Sequence, residues 1–115
     1  MIKKQDDFRI EKSVAHKDGK GEIKIVNFFE KDDFLGKGRF YGKSIIEPGN
    51  SIGYHQHVGD QEAYFILKGK ARYSDNGTIF ELNPGEMAIC RDGDFHSIEP
   101  IGDETLEYIS IILFN

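Results

Sequence analysis

The chain has 115 residues, 38% of them hydrophobic, and its 15 basic and 20 acidic residues give a formal net charge of -5. This length predicts one domain, over residues 1–115, with its own core. No basic cluster is interleaved with aromatic residues, which argues against a nucleic-acid partner. No apolar run is long enough to span a membrane, and residues 1–20 are too charged for a signal peptide. The single cysteine, Cys90, cannot form an internal disulfide. We therefore expect a cytoplasmic location.

The chain reads as short strands separated by turns. Residues 1–20 are polar and mixed in charge, and we expect them to form an arm lying on the body of the protein. Strand patterns rich in β-branched and aromatic residues follow at 23–29, 39–46, 55–58, 62–67, 71–73, 79–82, 87–90, 95–98 and 106–114. Asp75-Asn76-Gly77 is a strong hairpin signal. Many short strands with turns at regular spacing predict an all-β sandwich or barrel.

Three residues with metal-binding side chains lie within residues 49–69. On a strand His55 and His57 are two positions apart, so their side chains lie on the same face. Gly59-Asp60 is a turn sequence, and Glu62 can therefore open a second strand beside the first. Two imidazoles and a carboxylate on one inner face begin a metal site, and such nitrogen and oxygen ligands suit Mn, Fe, Co, Ni or Zn. A bare His-x-His pair would instead favour two hydrogen-bonded core histidines.

The spacing of this stretch resembles the first sequence motif of the cupin family. That motif is a glycine, five residues, His-x-His, four residues, a glutamate, six residues and a glycine. The matching positions are Gly49, His55, His57, Glu62 and Gly69. The resemblance implies that the all-β fold is the cupin double-stranded β-helix, a jelly-roll barrel.

A second cupin motif is similar to the sequence that ends at His96. Gly85, Gly93 and His96 fall in register with it, whereas Arg91 replaces the motif proline and Pro100 the motif asparagine. Neither replaced position is a ligand in the family. The resemblance implies a divalent transition metal (Mn, Fe, Ni, Co or Zn) and a set of four ligands, which are His55, His57, Glu62 and His96. A buried, unpaired Glu62 would also be costly without a nearby cation.

Other polar side chains have simpler interpretations. His16 lies in a loop rich in lysine, aspartate and glycine, so we expect a solvated surface residue. Cys90 has apolar neighbours and is expected to be a small buried hydrophobe. Proton transfer at the metal would need a separate acid or base. The catalytic residue is unknown, and the unranked candidates near the motifs are Tyr41, Lys43, Glu47, Tyr54, Tyr64 and Arg91.

Three classes of function are compatible with this sequence. The first is a metal-dependent enzyme acting on a small polar molecule. The cupin family that the chain resembles includes sugar-phosphate isomerases, decarboxylases and dioxygenases. Small cupins similar to this chain are mannose-6-phosphate-isomerase-like or oxalate-decarboxylase-like. The second is a non-enzymatic module that binds or senses a small ligand, and the third is a storage protein. Three imidazoles and one carboxylate leave a six-coordinate metal two positions for water or substrate, so we expect a small ligand with adjacent oxygens.

The apolar strands also predict a partner subunit. A half-buried strand is apolar at alternate residues only, yet residues 63–67 are apolar on both faces. If Glu62 faces the metal, Tyr64 and Ile66 share its inner face and Phe65 and Leu67 point outward. Either the N-terminal arm or a second subunit must cover them, and the resemblance to cupins favours a homodimer.

Overall fold

The computed structural model describes all 115 residues and contains ten strands. They are β1 (Arg9–Val14), β2 (Glu22–Asn27), β3 (Gly38–Ile46), β4 (Ile52–Gln56), β5 (Asp60–Lys68), β6 (Lys70–Asp75), β7 (Thr78–Leu82), β8 (Met87–Cys90), β9 (Phe95–Ile101) and β10 (Leu106–Phe114). Short 3-10 turns lie at Gln5–Asp7, His16–Asp18 and Lys31–Phe34. None of these helical segments is long and apolar enough to cross a membrane.

The strands form two antiparallel sheets. The six-stranded sheet has the order β1-β2-β3-β10-β5-β8, and the four-stranded sheet has the order β4-β9-β6-β7. Buried side chains from both sheets pack into one core cluster, to which the first sheet contributes Ile66 and Leu106 and the second contributes Ala71 and Ile98. The predicted all-β, two-sheet architecture is therefore confirmed.

Strand β5 shows how the sheet separates its inner and outer faces. Glu62, Tyr64 and Ile66 are buried, whereas Phe65 and Leu67 are 46% and 43% exposed. This is the alternation that the sequence predicts for a strand with one face on the core. The carboxylate of Glu62 is consequently carried into the space between the sheets.

Most observed strands differ from the predicted ones by one to three residues at an end, and two differences bear on the site. The strand predicted at 55–58 is β4, which begins at Ile52 and ends at Gln56. The N-terminal arm contains an unpredicted strand, β1, which pairs antiparallel with β2 at the edge of the larger sheet. Because β1 is almost entirely exposed, it lacks the apolar periodicity that marks a strand in a sequence.

Candidate metal centre

Three neighbouring segments bring four metal-binding side chains together. His55 lies on β4 and His57 follows its last residue, while Glu62 lies on β5 and His96 on β9. His55 and His96 are paired across the β4–β9 ladder, and their rings meet edge to face. One ligand atom from each of the four residues lies within 4.8 Å of the others. The structure therefore brings together all four of the predicted metal ligands.

The closest atoms of this cluster are three imidazole nitrogens and one carboxylate oxygen. The Nε2 atom of His96 is 3.1 Å from the Nε2 atoms of both His55 and His57. Oε1 of Glu62 is 3.1 Å from Nε2 of His57 and 3.3 Å from Nε2 of His96. Nitrogen and oxygen donors converging on one point are the ligand type of a borderline divalent metal.

The outward nitrogens of His55 and His57 are held by groups that only accept hydrogen bonds. Nδ1 of His55 donates to the carbonyl oxygen of Gly53 at 2.7 Å, and Nδ1 of His57 donates to Oδ1 of Asp60 at 2.6 Å. The other oxygen of Asp60 accepts a hydrogen bond from Nε of Arg39 at 2.8 Å. A neutral imidazole that carries its proton on Nδ1 presents a lone pair on Nε2, so both rings aim lone pairs into the cluster.

His96 has a different outward partner. Its Nδ1 is 2.9 Å from the hydroxyl oxygen of Tyr73, and the ring of His96 is almost completely buried. Burial raises the pKa of Tyr73 above its ordinary value, so this phenol keeps its proton. When Nε2 of His96 binds a metal, Nδ1 carries the ring proton and donates it to the Tyr73 oxygen.

The cluster combines an ionised carboxylate with a neutral imidazole. Burial favours the neutral form of Glu62, but hydrogen bonds from His57 and His96 outweigh it and lower the pKa of Glu62 to about 2. Burial lowers the pKa of His55 to about 4. The hydrogen bond to Glu62, followed by the one to Asp60, raises the pKa of His57. A proton on His57 is therefore the main competitor of a metal ion for this site.

A cavity of about 130 Å³ opens onto the cluster at His55 and Glu62. Apolar side chains form much of its wall, and the polar side chains in it are His16, Arg39, Ser44, Tyr64, Tyr108 and Ser110. The hydroxyl of Tyr108 is buried beside those of Ser44 and Tyr64. Buried hydroxyls beside a cluster of ligand atoms can form hydrogen bonds with a small polar molecule.

Most of the predicted acid or base candidates lie elsewhere. Tyr64 lines the cavity, and burial raises its pKa well above the ordinary value, so it keeps its proton. The other five do not line the cavity; they are Tyr41, Lys43, Glu47, Tyr54 and Arg91. Tyr54, for example, is 53% exposed and stacks on Phe95. Position near a motif in the sequence does not show which sheet face a residue occupies.

Two expectations for single residues have opposite outcomes. Cys90 is buried, as expected, and burial raises the pKa of its thiol to about 12. His16 is not a solvated surface residue, because it is half-buried and lines the cavity. Its place depends on the turn after the unpredicted strand β1. The hydrogen bonds between Asp60 and His57 and between Tyr73 and His96 were also not predicted. Predicting them would require knowing the register of β4, β5, β6 and β9.

Comparison with known proteins adds a family and two relatives of the whole chain. A family model described as Cupin domain matches residues 42–112. A protein of Thermotoga maritima named oxalate-binding protein is 30% identical over 113 residues, which cover 98% of this chain and 93% of the relative. A solved structure described as a predicted oxalate decarboxylase from Thermotoga maritima is 30% identical, covers 100% of both chains and has a TM-score of 0.94.

A more distant solved structure has the same barrel. It is described as a putative sugar phosphate isomerase from Acidithiobacillus ferrooxidans, is 27% identical and has a TM-score of 0.65, covering 80% of this chain and 60% of its own. The matches identify the two-sheet architecture as the double-stranded β-helix that the two motifs implied. The chain belongs to the cupin family.

Proposed function

We propose that this cupin binds a divalent transition metal and holds a small anionic oxygen ligand of the oxalate type beside it. The metal ligands are His55, His57, Glu62 and His96. One observation carries the proposal, namely that three Nε2 atoms and one carboxylate oxygen converge while the Nδ1 atoms point outward to partners. Without a metal ion, either lone pairs and a negative charge face one another in a buried place, or an imidazole must carry a second proton between them.

The residues present fit a metal by their chemistry as well as their number. His55 and His57 donate from Nδ1 to acceptors outside the cluster, and the Tyr73 hydroxyl can accept from Nδ1 of His96, so each Nε2 can coordinate. Glu62 is ionised and His55 is neutral at neutral pH, as ligands must be. Imidazole and carboxylate together suit Mn, Fe, Co, Ni or Zn, and nothing in the ligand set selects one of them.

The size of the cavity supports a ligand of a few non-hydrogen atoms. Its volume of about 130 Å³ corresponds to about four water molecules at ~30 Å³ each. Pockets for larger organic ligands are typically ~300 to ~1,000 Å³. A two-carbon dicarboxylate is therefore favoured over a sugar phosphate. The relative named oxalate-binding protein points to the same class of ligand.

The chain's own groups explain how such a ligand is held. A bound metal would act as a Lewis acid on the ligand's oxygens. The Tyr64 and Tyr108 hydroxyls keep their protons and can donate hydrogen bonds inside the cavity. The apolar walls exclude water, which strengthens these polar contacts. Turnover of the ligand, as by a decarboxylase, is the enzymatic form of the proposal, and binding alone is its alternative.

Calorimetric titration of metal-loaded protein with oxalate tests this function. We expect binding at millimolar concentration or below, with acetate much weaker because it has a single carboxylate. The metal-free protein is the control and should show no oxalate binding. Steady consumption of oxalate that stops on chelation would establish an enzyme. Absence of oxalate binding by fully metal-loaded protein would contradict the proposal.

We also propose a homodimer. The arm does not cover the outer face of β5, because β1 pairs at the edge of the same sheet and leaves Phe65 and Leu67 exposed. Ala63, Phe65, Met87, Ile109 and Ile111 border one shallow apolar depression on that face. An apolar sheet face of this kind is typical of a subunit interface.

The cytoplasmic location expected from the single cysteine stays a prediction.

A further inference from the structure

The cavity wall contains one imidazole that the metal cluster does not use, that of His16. This residue lies in the turn between β1 and β2. The turn reaches across from the edge of the larger sheet and packs on β4 of the smaller one. The backbone amide of Ser51 donates to the carbonyl oxygen of Lys20 at 2.9 Å, and the amide of Lys20 donates to the hydroxyl of Ser51 at 2.9 Å. The N-terminal segment is thereby fixed against the strand that carries His55.

The contact between this turn and β4 leaves no space for a side chain at the meeting point. A Cβ atom on Gly53 would collide with the carbonyl oxygen of Lys17, and one on Gly19 would collide with the carbonyl oxygen of Ser51. Gly53 also supplies the carbonyl that accepts the hydrogen bond from His55. One glycine thus sets both the approach of the turn and the orientation of a metal ligand.

The turn holds an unusual backbone conformation around His16. Ala15, Lys17 and Asp18 have φ angles of 52°, 52° and 62°, in the left-handed region that is unfavourable for residues with a side chain. Such residues are strained and persist only where surrounding contacts impose the conformation. The strained stretch brackets the one residue of the turn that lines the cavity, which is His16.

The ring of His16 is oriented through one nitrogen and has the other one free. Its Nδ1 is 3.0 Å from the hydroxyl oxygen of Ser13. Its Nε2 has no hydrogen-bond partner in the protein and is not among the fully buried unpaired atoms. A free imidazole nitrogen on a residue that lines the cavity is suited to a hydrogen bond with an anionic oxygen.

The other polar groups of the cavity differ from His16 in what they can offer. Arg39 is a permanent cation that donates its Nε–H to Asp60, and the remaining polar groups are hydroxyls, those of Ser44, Tyr64, Tyr108 and Ser110. Burial lowers the pKa of His16, so its imidazole is neutral at neutral pH and can donate a hydrogen bond from Nε2 while Nδ1 accepts one from Ser13. Outside the proposed metal ligands, His16 is the only imidazole that lines the cavity.

We propose that His16 contacts the small oxygen ligand through its Nε2, as a specificity-determining residue supplied by the N-terminal turn. This inference rests on the proposed function, because it requires a ligand in the cavity beside the metal. It assigns His16 to the ligand and not to the metal, whose four donor atoms come from other residues.

Zinc-loaded wild-type protein and His16→Ala, titrated calorimetrically with oxalate, test the assignment. We expect the variant to keep full metal content and to bind oxalate about tenfold more weakly or worse, because a hydrogen bond to a charged group is lost. Val14→Ala is the matched control, since Val14 is 73% exposed on the same segment. It should bind oxalate like the wild type.

A measurement on the wild-type protein covers the case in which His16→Ala does not fold. In zinc-loaded protein with ¹⁵N-labelled histidine, oxalate should shift the Nε2 resonance of His16. An unshifted resonance, or wild-type oxalate affinity in folded, metal-loaded His16→Ala, would overturn the inference and leave the proposed function standing. Loss of metal from His16→Ala would also overturn it. Failure of the wild type itself to bind oxalate would instead overturn the proposed function.

Discussion

The outward hydrogen bonds of the histidines decide what the cluster can bind. A carbonyl, a carboxylate and a phenol hold the Nδ1 atoms of His55, His57 and His96, respectively. Each bond fixes the ring orientation, and the carbonyl and carboxylate also fix the tautomer. At the scale of single residues, we therefore expect metal affinity to depend on Gly53, Asp60 and Tyr73 as well as on the proposed ligands.

Tyr73→Phe removes the outward partner of His96 without changing the shape of the core. We expect metal affinity to fall about tenfold to 100-fold, since Nδ1 of His96 is left buried without a partner. Competition with a chromophoric chelator would measure the affinity. Tyr54→Phe is the control, because the side chain of Tyr54 is exposed and lies outside the cavity. Equal metal affinities in the two variants would contradict this role of Tyr73.

Acidification should release the metal, with His57 taking up the proton first. Glu62 and Asp60 raise the pKa of His57 above its ordinary value of 6.5. In metal-free protein the protonated ring therefore stabilises the fold fully below pH 6.5. This contribution is lost as the pH rises through the raised pKa. A metal ion must displace that proton. Metal affinity should therefore fall steadily as pH is lowered from about 7 to about 5. Isothermal titration across this range measures it, and a constant affinity would refute the expectation.

At the scale of elements, apolar runs bounded by turns were predicted best. The strands predicted at 87–90 and 106–114 have the bounds of β8 and β10. The convergence of His55, His57, Glu62 and His96 was predicted because the motif spacing records where β4, β5 and β9 meet. The exposed strand β1 was missed, because it forms through pairing with β2 and not through burial of its own side chains. The position of His16 was missed for the same reason.

Gly53→Ala tests the contact between the N-terminal turn and β4. The added methyl group would meet the backbone of residues 17–19, which cannot move aside as a side chain can. We expect a loss of stability of about 1–3 kcal/mol together with weaker metal binding, because the carbonyl that orients His55 is displaced. Chemical denaturation and metal titration measure the two effects.

Gly36→Ala is the comparison for this prediction. Gly36 has a φ of 74° and open space around its Cβ position, and it does not line the cavity, so the substitution adds only backbone strain. It should lower stability without changing metal affinity. If Gly53→Ala behaves in the same way, the turn does not help to position His55.

At the scale of the whole molecule, the larger sheet packs one face on the core and has exposed apolar side chains on the other face. The larger sheet carries Glu62 on its inner face, while the outer face of the same strand exposes Phe65 and Leu67. The proposed metal site and the proposed subunit interface therefore lie on opposite faces of one strand. Such a face in contact with water is unfavourable by about 25 cal/mol per Å² of apolar surface.

Phe65→Lys should convert the proposed dimer into a monomer, because a charge would be buried at the interface. Light scattering at micromolar concentration measures the mass. Phe80→Lys is the control, since Phe80 is similarly exposed on β7 of the smaller sheet. A wild-type monomer, or a dimer that both substitutions leave intact, would contradict the proposed interface.

Metal analysis of the purified protein tests the central claim most directly. Wild-type protein and the His16→Ala variant should contain a stoichiometric divalent transition metal, because His16 is outside the ligand set. His96→Ala should contain little or none, since it removes a buried ligand at the centre of the cluster. Full metal occupancy in folded His96→Ala would contradict the account.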